Sequence, residues 1–69
     1  MYEQWLFDVI AYNGAVDHVF SVYRILNNGL RVMLDGDFYA TAVSRRQAHD
    51  IIEQAIEDLK WTLMEGREQ

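Results

Sequence analysis

The clearest pattern of apolar and polar positions lies in the last third of the chain. Apolar residues recur there every three or four positions and would form one stripe along a helix, made of Ala48, Ile51, Ile52, Ala55, Ile56, Leu59 and Leu63. Ser44 and Gln47 are spaced as a capping box at the start of this stripe, and Gly66 is a natural stop after it. The pattern predicts a helix over about residues 45–65.

The middle of the chain is rich in β-branched and aromatic residues, which favour strands. Three such segments lie at about residues 15–26, 30–35 and 38–43. They are separated by Asn27-Asn28-Gly29 and by Asp35-Gly36-Asp37, which are strong turn signals. We therefore expect three consecutive antiparallel strands.

The N-terminal segment, about residues 4–12, fits either a helix or a strand. Apolar residues at helical spacing, with Gly14 as a C-cap, would give an α-β-β-β-α order. Its aromatic and β-branched residues instead favour a strand, and Asn13-Gly14 favours a two-residue hairpin turn with Tyr12 opposite Ala15. We favour the strand, because its register then agrees with the following strands, and the helical alternative stays open.

The predicted fold is a single α+β domain over residues 1–69, in which a four-stranded antiparallel meander precedes one C-terminal helix. Alternation along the strands assigns one face of the sheet to the helix. That face carries Trp5, Phe7, Val9, Phe20, Val22, Val32, Leu34 and Phe38.

The opposite sheet face is predicted to be uncovered, yet it is unusually apolar. Alternation places Leu6, Ile10, Tyr12, Val19, Tyr23, Ile25, Met33, Tyr39, Thr41 and Val43 there. Large apolar surfaces of soluble proteins mark interfaces, in which tyrosine and methionine are enriched. We expect a partner-binding surface and, in its simplest form, a homodimer with sheets back to back; the binding residues would be Tyr12, Val19, Tyr23, Ile25, Met33 and Tyr39.

Charge adds a second candidate surface. The 69 residues include 11 acidic and 6 basic side chains, for a net charge of −5, and no cysteine. This balance disfavours nonspecific binding to nucleic acid or to anionic membranes. The carboxylates Asp50, Glu53, Glu57 and Asp58, called here the acidic helix face, would suit a basic surface of a protein partner.

Candidate chemistry is sparse, and we expect neither an enzyme nor a bound cofactor or metal. Asp35-Gly36-Asp37 resembles the start of a calcium loop, but the twelfth position is Arg46 where that loop needs a glutamate. His49 and Glu53 have the spacing of two metal ligands, which do not make a site. No apolar run is long enough to span a bilayer, and no basic segment begins the chain, so a cytoplasmic location without membrane contact is expected.

Two arginines at the predicted helix start could contact an anion. Arg45 and Arg46 follow the residue-38–43 strand, beside backbone N–H groups that favour negative charge. Residues 38–48 are similar in shape to the last strand and second helix of double-stranded-RNA-binding domains, where a basic pair grips phosphate. The sequence departs from that pattern at His49 and Asp50, and we assign no family on it.

These observations predict a small acidic module that acts by protein–protein interaction. An inhibitor of a host nucleic-acid-processing or defence complex, encoded by a phage or mobile element, is the specific form that we expect. One alternative is a nucleic-acid-binding domain that uses Arg45 and Arg46. Another is a small structural subunit of a larger assembly.

Overall fold

Five strands and one helix follow one another as β-β-β-β-α-β in the computed structural model, which describes residues 3–25 and 29–68. The α+β class and the strand interpretation of the N-terminal segment are confirmed, whereas the sheet has five strands and not four. The elements are β1 (Glu3–Tyr12), β2 (Asp17–Ile25), β3 (Leu30–Leu34), β4 (Asp37–Ala42), α1 (Arg45–Leu59) and β5 (Thr62–Glu68). Leu26, Asn27 and Asn28 of the predicted second strand and loop lie outside the described residues.

The sheet is antiparallel throughout, with the strand order β4-β3-β2-β1-β5. The first four strands form the expected meander. After α1 crosses one face, β5 returns to pair with β1 on the side away from β2. This last strand covers the edge that a four-stranded meander would leave open on β1.

The loop between β1 and β2 is two residues longer than predicted. Tyr12 pairs with Asp17 and not with Ala15. The side chain of Asn13 closes the longer loop, because its Oδ1 accepts hydrogen bonds from the backbone N–H groups of Ala15 and Val16 at 2.7 and 2.9 Å. A shift of two residues keeps every side chain on its predicted face, so the β2 residues predicted to face the core do so.

A bulge in β1 reverses the predicted faces of two residues. The register shifts between Trp5 and Phe7, and Trp5 pairs with Tyr23 of the uncovered face. Leu6, predicted on that face, is buried in the core at 3% exposure. The extra residue of a bulge breaks strict alternation, which is why the predicted positions of Trp5 and Leu6 were wrong.

A second bulge, in β4, has the same effect on Phe38 and Tyr39. The register shifts between Val32 and Met33, so Phe38 lies opposite Met33 and is 62% exposed. The ring of Tyr39 packs edge-to-face on the buried ring of Phe20, with centroids 5.8 Å apart. Tyr39 therefore lies on the helix side, in contrast to the predicted partner-binding set, and Phe38 takes its place on the other face.

The helix starts where predicted and ends earlier. Ser44 Oγ accepts a hydrogen bond from the Gln47 N–H at 3.1 Å, which confirms the N-cap. At the other end Lys60 has a left-handed backbone (φ 60°), a conformation that glycine usually adopts at this position. Its N–H donates to the Glu57 carbonyl at 3.1 Å. The predicted continuation to about residue 65 was wrong, since Leu63 pairs with Ala11 in the sheet and Gly66 lies within β5.

The core lies between α1 and one face of the sheet. The helix stripe from Ala48 to Ile56 packs there as predicted, while Leu59 is about half exposed. The buried set is Leu6, Phe7, Val9, Ala11, Phe20, Val22, Leu30, Val32 and Ala42 of the sheet with Ala48, Ile52, Ala55 and Ile56 of the helix. Within the described residues, no element packs on the opposite face of the sheet.

Candidate functional site

The uncovered sheet face carries large apolar side chains on both sides of the polar pair Asp8 and Ser21. Antiparallel pairing brings together Trp5 with Tyr23, Ile10 with Val19, and Met33 with Phe38 on this side. We call this surface the bare face and define it by Trp5, Ile10, Tyr12, Val19, Tyr23, Ile25, Met33 and Phe38. Five of the six predicted binding residues belong to it; Tyr39 does not.

Polar groups of the bare face are bonded to one another. Arg31 donates to Glu3 at 3.2 Å across the sheet, and Arg67 donates to Glu65 at 3.4 Å along β5. The indole N–H of Trp5 donates to Asp8 Oδ1 at 2.7 Å. Since these groups already have partners, burying the face would leave fewer polar atoms unsatisfied than its composition suggests.

A shallow depression lies within the bare face. Its volume is about 290 Å³, and it is lined by Glu3, Ser21, Tyr23, Arg31, Met33 and Gly36. Its lining mixes apolar surface with the Glu3–Arg31 ion pair. It could accept a protruding side chain of a partner, as recesses at interface centres do.

The acidic helix face points away from the bare face, on the far side of the molecule. Asp50, Glu53, Glu57 and Asp58 are all exposed, and Asp58 Oδ1 accepts a hydrogen bond from Gln54 at 2.9 Å. The two predicted partner-binding surfaces are thus separated by the core, so one flat partner surface cannot contact both at once.

Side chains at the start of α1 make aromatic packing contacts as well as an ion pair. The guanidinium of Arg45 lies 5.4 Å from the centroid of the Phe7 ring and 3.8 Å from a carboxylate oxygen of Glu68. His49, one turn later, stacks on the same Phe7 ring with centroids 4.2 Å apart. Arg46 is exposed beside them. The predicted anion contact would therefore compete for Arg45 with Glu68 and with cation–π packing.

The imidazole of His18 is held from three sides, which the sequence did not indicate. It stacks on Trp61 at 4.1 Å, and its Nδ1 lies 2.6 Å from Asp35 Oδ2. Because Asn13 Oδ1 accepts backbone N–H groups, its amide N–H faces His18 Nε2 at 2.9 Å, which assigns the proton of the neutral ring to Nδ1. His18 and Asp35 are distant in sequence, so their contact becomes apparent only once β2 is paired with β3.

The hydrogen bonds of this cluster lower the pKa of Asp35. The hydrogen bond from His18, and then that from the Val19 N–H, hold the pKa of the Asp35 carboxyl below its ordinary value of 3.8. Asp35 also has a left-handed backbone, with φ 53°, in the turn before β4. The arrangement fixes this turn against the end of β2.

A second recess, the α1–β5 groove, lies on the helix side. It has a volume of about 240 Å³, and its floor is formed by Val9, Ile52 and Ile56. Its walls are His49, Glu53, Leu63 and Gly66. Sequence reasoning missed it because Leu63 and Gly66 were assigned to the end of the helix; the β-prone run Trp61-Thr62-Leu63 was the available signal for a strand.

Neither a membrane span nor a metal cluster is found in the described part of the chain. Its one helix, α1, is too short to cross a membrane. In residues 3–25 and 29–68 no group of three histidine or acidic side chains is placed to hold a metal ion.

Comparison with known proteins finds no matching family model, no matching curated protein and no matching solved structure.

Proposed function

We propose that this chain is a small acidic protein-binding module whose bare face covers a surface of another protein. The observation that carries the proposal is the apolar, aromatic sheet face that no second layer covers within the described residues. Two-layer domains usually place polar residues on the solvent side of such a sheet. Large apolar patches on a protein surface are typical of protein interfaces.

The flat area of the bare face lies just below the range of standard interfaces. Five strands about 4.8 Å apart and about seven residues long give roughly 500 Å² of flat area, before side-chain relief is counted. Stable interfaces bury roughly 600–1,000 Å² on each partner. The face is thus large enough for one specific complex, and the first occupant that we propose is a second copy of this chain, packed back to back.

Self-pairing would leave both acidic helix faces exposed on opposite sides of the dimer. Carboxylates arrayed along a helix can occupy basic grooves that otherwise hold phosphate groups. An inhibitor of a nucleic-acid-processing or defence complex is therefore the form of the proposal that Glu53, Glu57 and Asp58 support. Its phage or mobile-element origin stays a prediction, as does the alternative role as a structural subunit.

Nucleic-acid binding through Arg45 and Arg46 receives less support. Arg45 is engaged by Phe7 and Glu68, and Arg31 lies on the opposite face in a bond to Glu3. Arg31 therefore does not join Arg45 and Arg46 on one surface around the helix start. Salt-dependent binding of duplex RNA that is lost on Arg46→Glu would favour this alternative over ours.

The proposal is tested by measuring molar mass with light scattering over a range of protein concentrations. Wild-type protein should approach twice the mass of the chain, and Met33→Glu should be monomeric, because it places a charge at the centre of the bare face. Gln54→Glu adds the same charge on the helix side and should remain dimeric. Circular dichroism should show that both variants are folded.

Salt provides an independent check on the same dimer. Each chain carries a net charge of −5, so two copies repel, and added salt should strengthen the dimer by screening that repulsion. A wild-type protein that is monomeric at every concentration and salt level would contradict self-pairing.

A further inference from the structure

The α1–β5 groove adjoins the open edge of the sheet. β5 is the last strand in the order β4-β3-β2-β1-β5, and within residues 3–25 and 29–68 no strand pairs with its outer side. An edge strand presents unpaired backbone N–H and C=O groups that can pair with another strand. A segment that paired with β5 would run directly beside the groove.

The groove has the size and lining for one apolar side chain. Its volume of about 240 Å³ lies below the roughly 300–1,000 Å³ of sites for small molecules. Its floor of Val9, Ile52 and Ile56 is apolar and nearly buried. The gap is open on the strand side because Gly66 has no side chain there.

The negative charge beside the groove favours a basic partner. Glu53 forms part of its wall, and Glu57 follows one turn later on the same side of α1. Both carboxylates are exposed, in a chain with a net charge of −5. A segment that approaches this edge is therefore favoured if it is basic and disfavoured if it is acidic.

From this juxtaposition of open edge, apolar recess and carboxylates, we infer that the α1–β5 groove binds an extended basic segment of a partner protein. The segment adds to β5 as a sixth strand. Since side chains alternate along a strand, an apolar residue enters the groove and a lysine or arginine two positions away faces Glu53. The inference deepens the proposed protein-binding function but uses a surface on the other side of the core from the bare face.

The test uses the full chain and the peptide Thr-Lys-Thr-Ile-Thr-Lys-Thr, followed by NMR amide shifts. Isoleucine and the two lysines lie on one side of this peptide when it is extended. Binding should shift the amides of Val9, Leu63 and Gly66 in a saturable way. The same peptide with glutamate in place of both lysines, or with serine in place of isoleucine, should bind at least ten-fold more weakly.

Gly66→Val is the decisive variant, because it fills the groove without straining the backbone. A Cβ on Gly66 would lie 3.7 Å from the Asp8 carbonyl oxygen, an ordinary contact, so the variant should fold and be at least as stable as the wild type. It should nevertheless lose peptide binding by at least ten-fold. Glu53→Gln should weaken binding about three-fold, and Asp37→Asn, at the other edge of the sheet, by less than two-fold.

Each of these results would overturn the inference: no amide shifts with the lysine peptide, equal binding by Gly66→Val, or equal binding of the glutamate peptide. A second copy of the chain on the β5 edge is another occupant, and dissociation of the wild-type dimer by the peptide would show it and exclude our inference. Met33→Glu separates the two proposals. If Met33→Glu is monomeric and still binds the peptide, peptide binding in the α1–β5 groove is supported independently of dimerisation through the bare face.

Discussion

Both faces of the sheet carry large apolar side chains, but only one of them is covered by α1. The helix-covered face buries Phe7, Phe20 and Val22 under α1 at 1% exposure or less. The bare face carries side chains of the same size, such as Ile10 and Tyr23, with no layer over them in the described residues. The difference shows that apolar composition alone does not define the core of this protein. One helix can cover only one of the two faces of a sheet.

The sharpest way to test this comparison is to truncate one large apolar side chain on each face. Phe20→Ala should destabilise the fold by about 3–5 kcal/mol, because it opens a cavity under α1. That loss is comparable to the whole stability expected of a chain of this length, roughly 3–10 kcal/mol. Ile10→Ala on the bare face should cost under about 1 kcal/mol in dilute protein, measured by urea unfolding. Equal losses would show that the two faces are equally covered in solution.

The bulges at Leu6 in β1 and at Tyr39 in β4 can be tested by two substitutions. Strict alternation predicts the reverse order of their effects. Leu6→Ala should cost about 2–4 kcal/mol, because the β1 bulge turns this side chain into the core. Phe38→Ala should cost under about 1 kcal/mol, because the β4 bulge turns its ring outward. Urea midpoints at matched protein concentration measure both. A larger effect at Phe38 than at Leu6 would show that the strands are regular.

Periodicity and turn chemistry were enough to predict most of the fold. The stripe from Ala48 to Ile56 and the Ser44 cap specify the helix, since each depends only on residues close in sequence. The meander followed from turn signals and from faces that remain consistent after a two-residue slip. Five of the six sheet-face residues named from the sequence lie on the bare face for the same reason.

What sequence reasoning missed depends on contacts between distant segments. Nothing local marks the bulges at Leu6 and Tyr39, which arise from how β1 and β4 fit their neighbours. Lys60 caps the helix in a conformation that glycine usually adopts, so the stop signal was sought at Gly66. As a result, β5 and the α1–β5 groove were not predicted. The His18–Asp35 contact was missed for a separate reason, since it depends on the pairing of β2 with β3.

Two serines extend the comparison to polar residues. Ser44→Ala should destabilise the protein by about 1 kcal/mol, because the N–H of Gln47 loses the Oγ acceptor that caps α1. Ser21→Ala on the bare face should change stability by less than about 0.5 kcal/mol. Thermal or urea unfolding of the two variants measures the difference. Equal effects would show that the Ser44 cap stabilises the protein no more than a hydroxyl of the bare face.

The smallest expected effect concerns Asp35, which ties the turn before β4 to His18 at the end of the covered face. Its pKa is held below the ordinary value, first by the His18 hydrogen bond, so its carboxylate stabilises the fold at neutral pH. That contribution should be lost as the pH falls below about 4 and through the lower pKa of the folded state. Asp35→Asn keeps a residue that tolerates the left-handed backbone and should be slightly less stable at pH 7, with the difference closing near pH 2. Asp37→Asn in the same turn is the matched control, and urea midpoints across this pH range measure all three proteins. A gap between wild type and Asp35→Asn that persists unchanged at pH 2 would show that the carboxylate does not act through its charge. The His18 contact would then be a matter of packing against Trp61, and the end of the covered face would be held by the same apolar contacts as its centre.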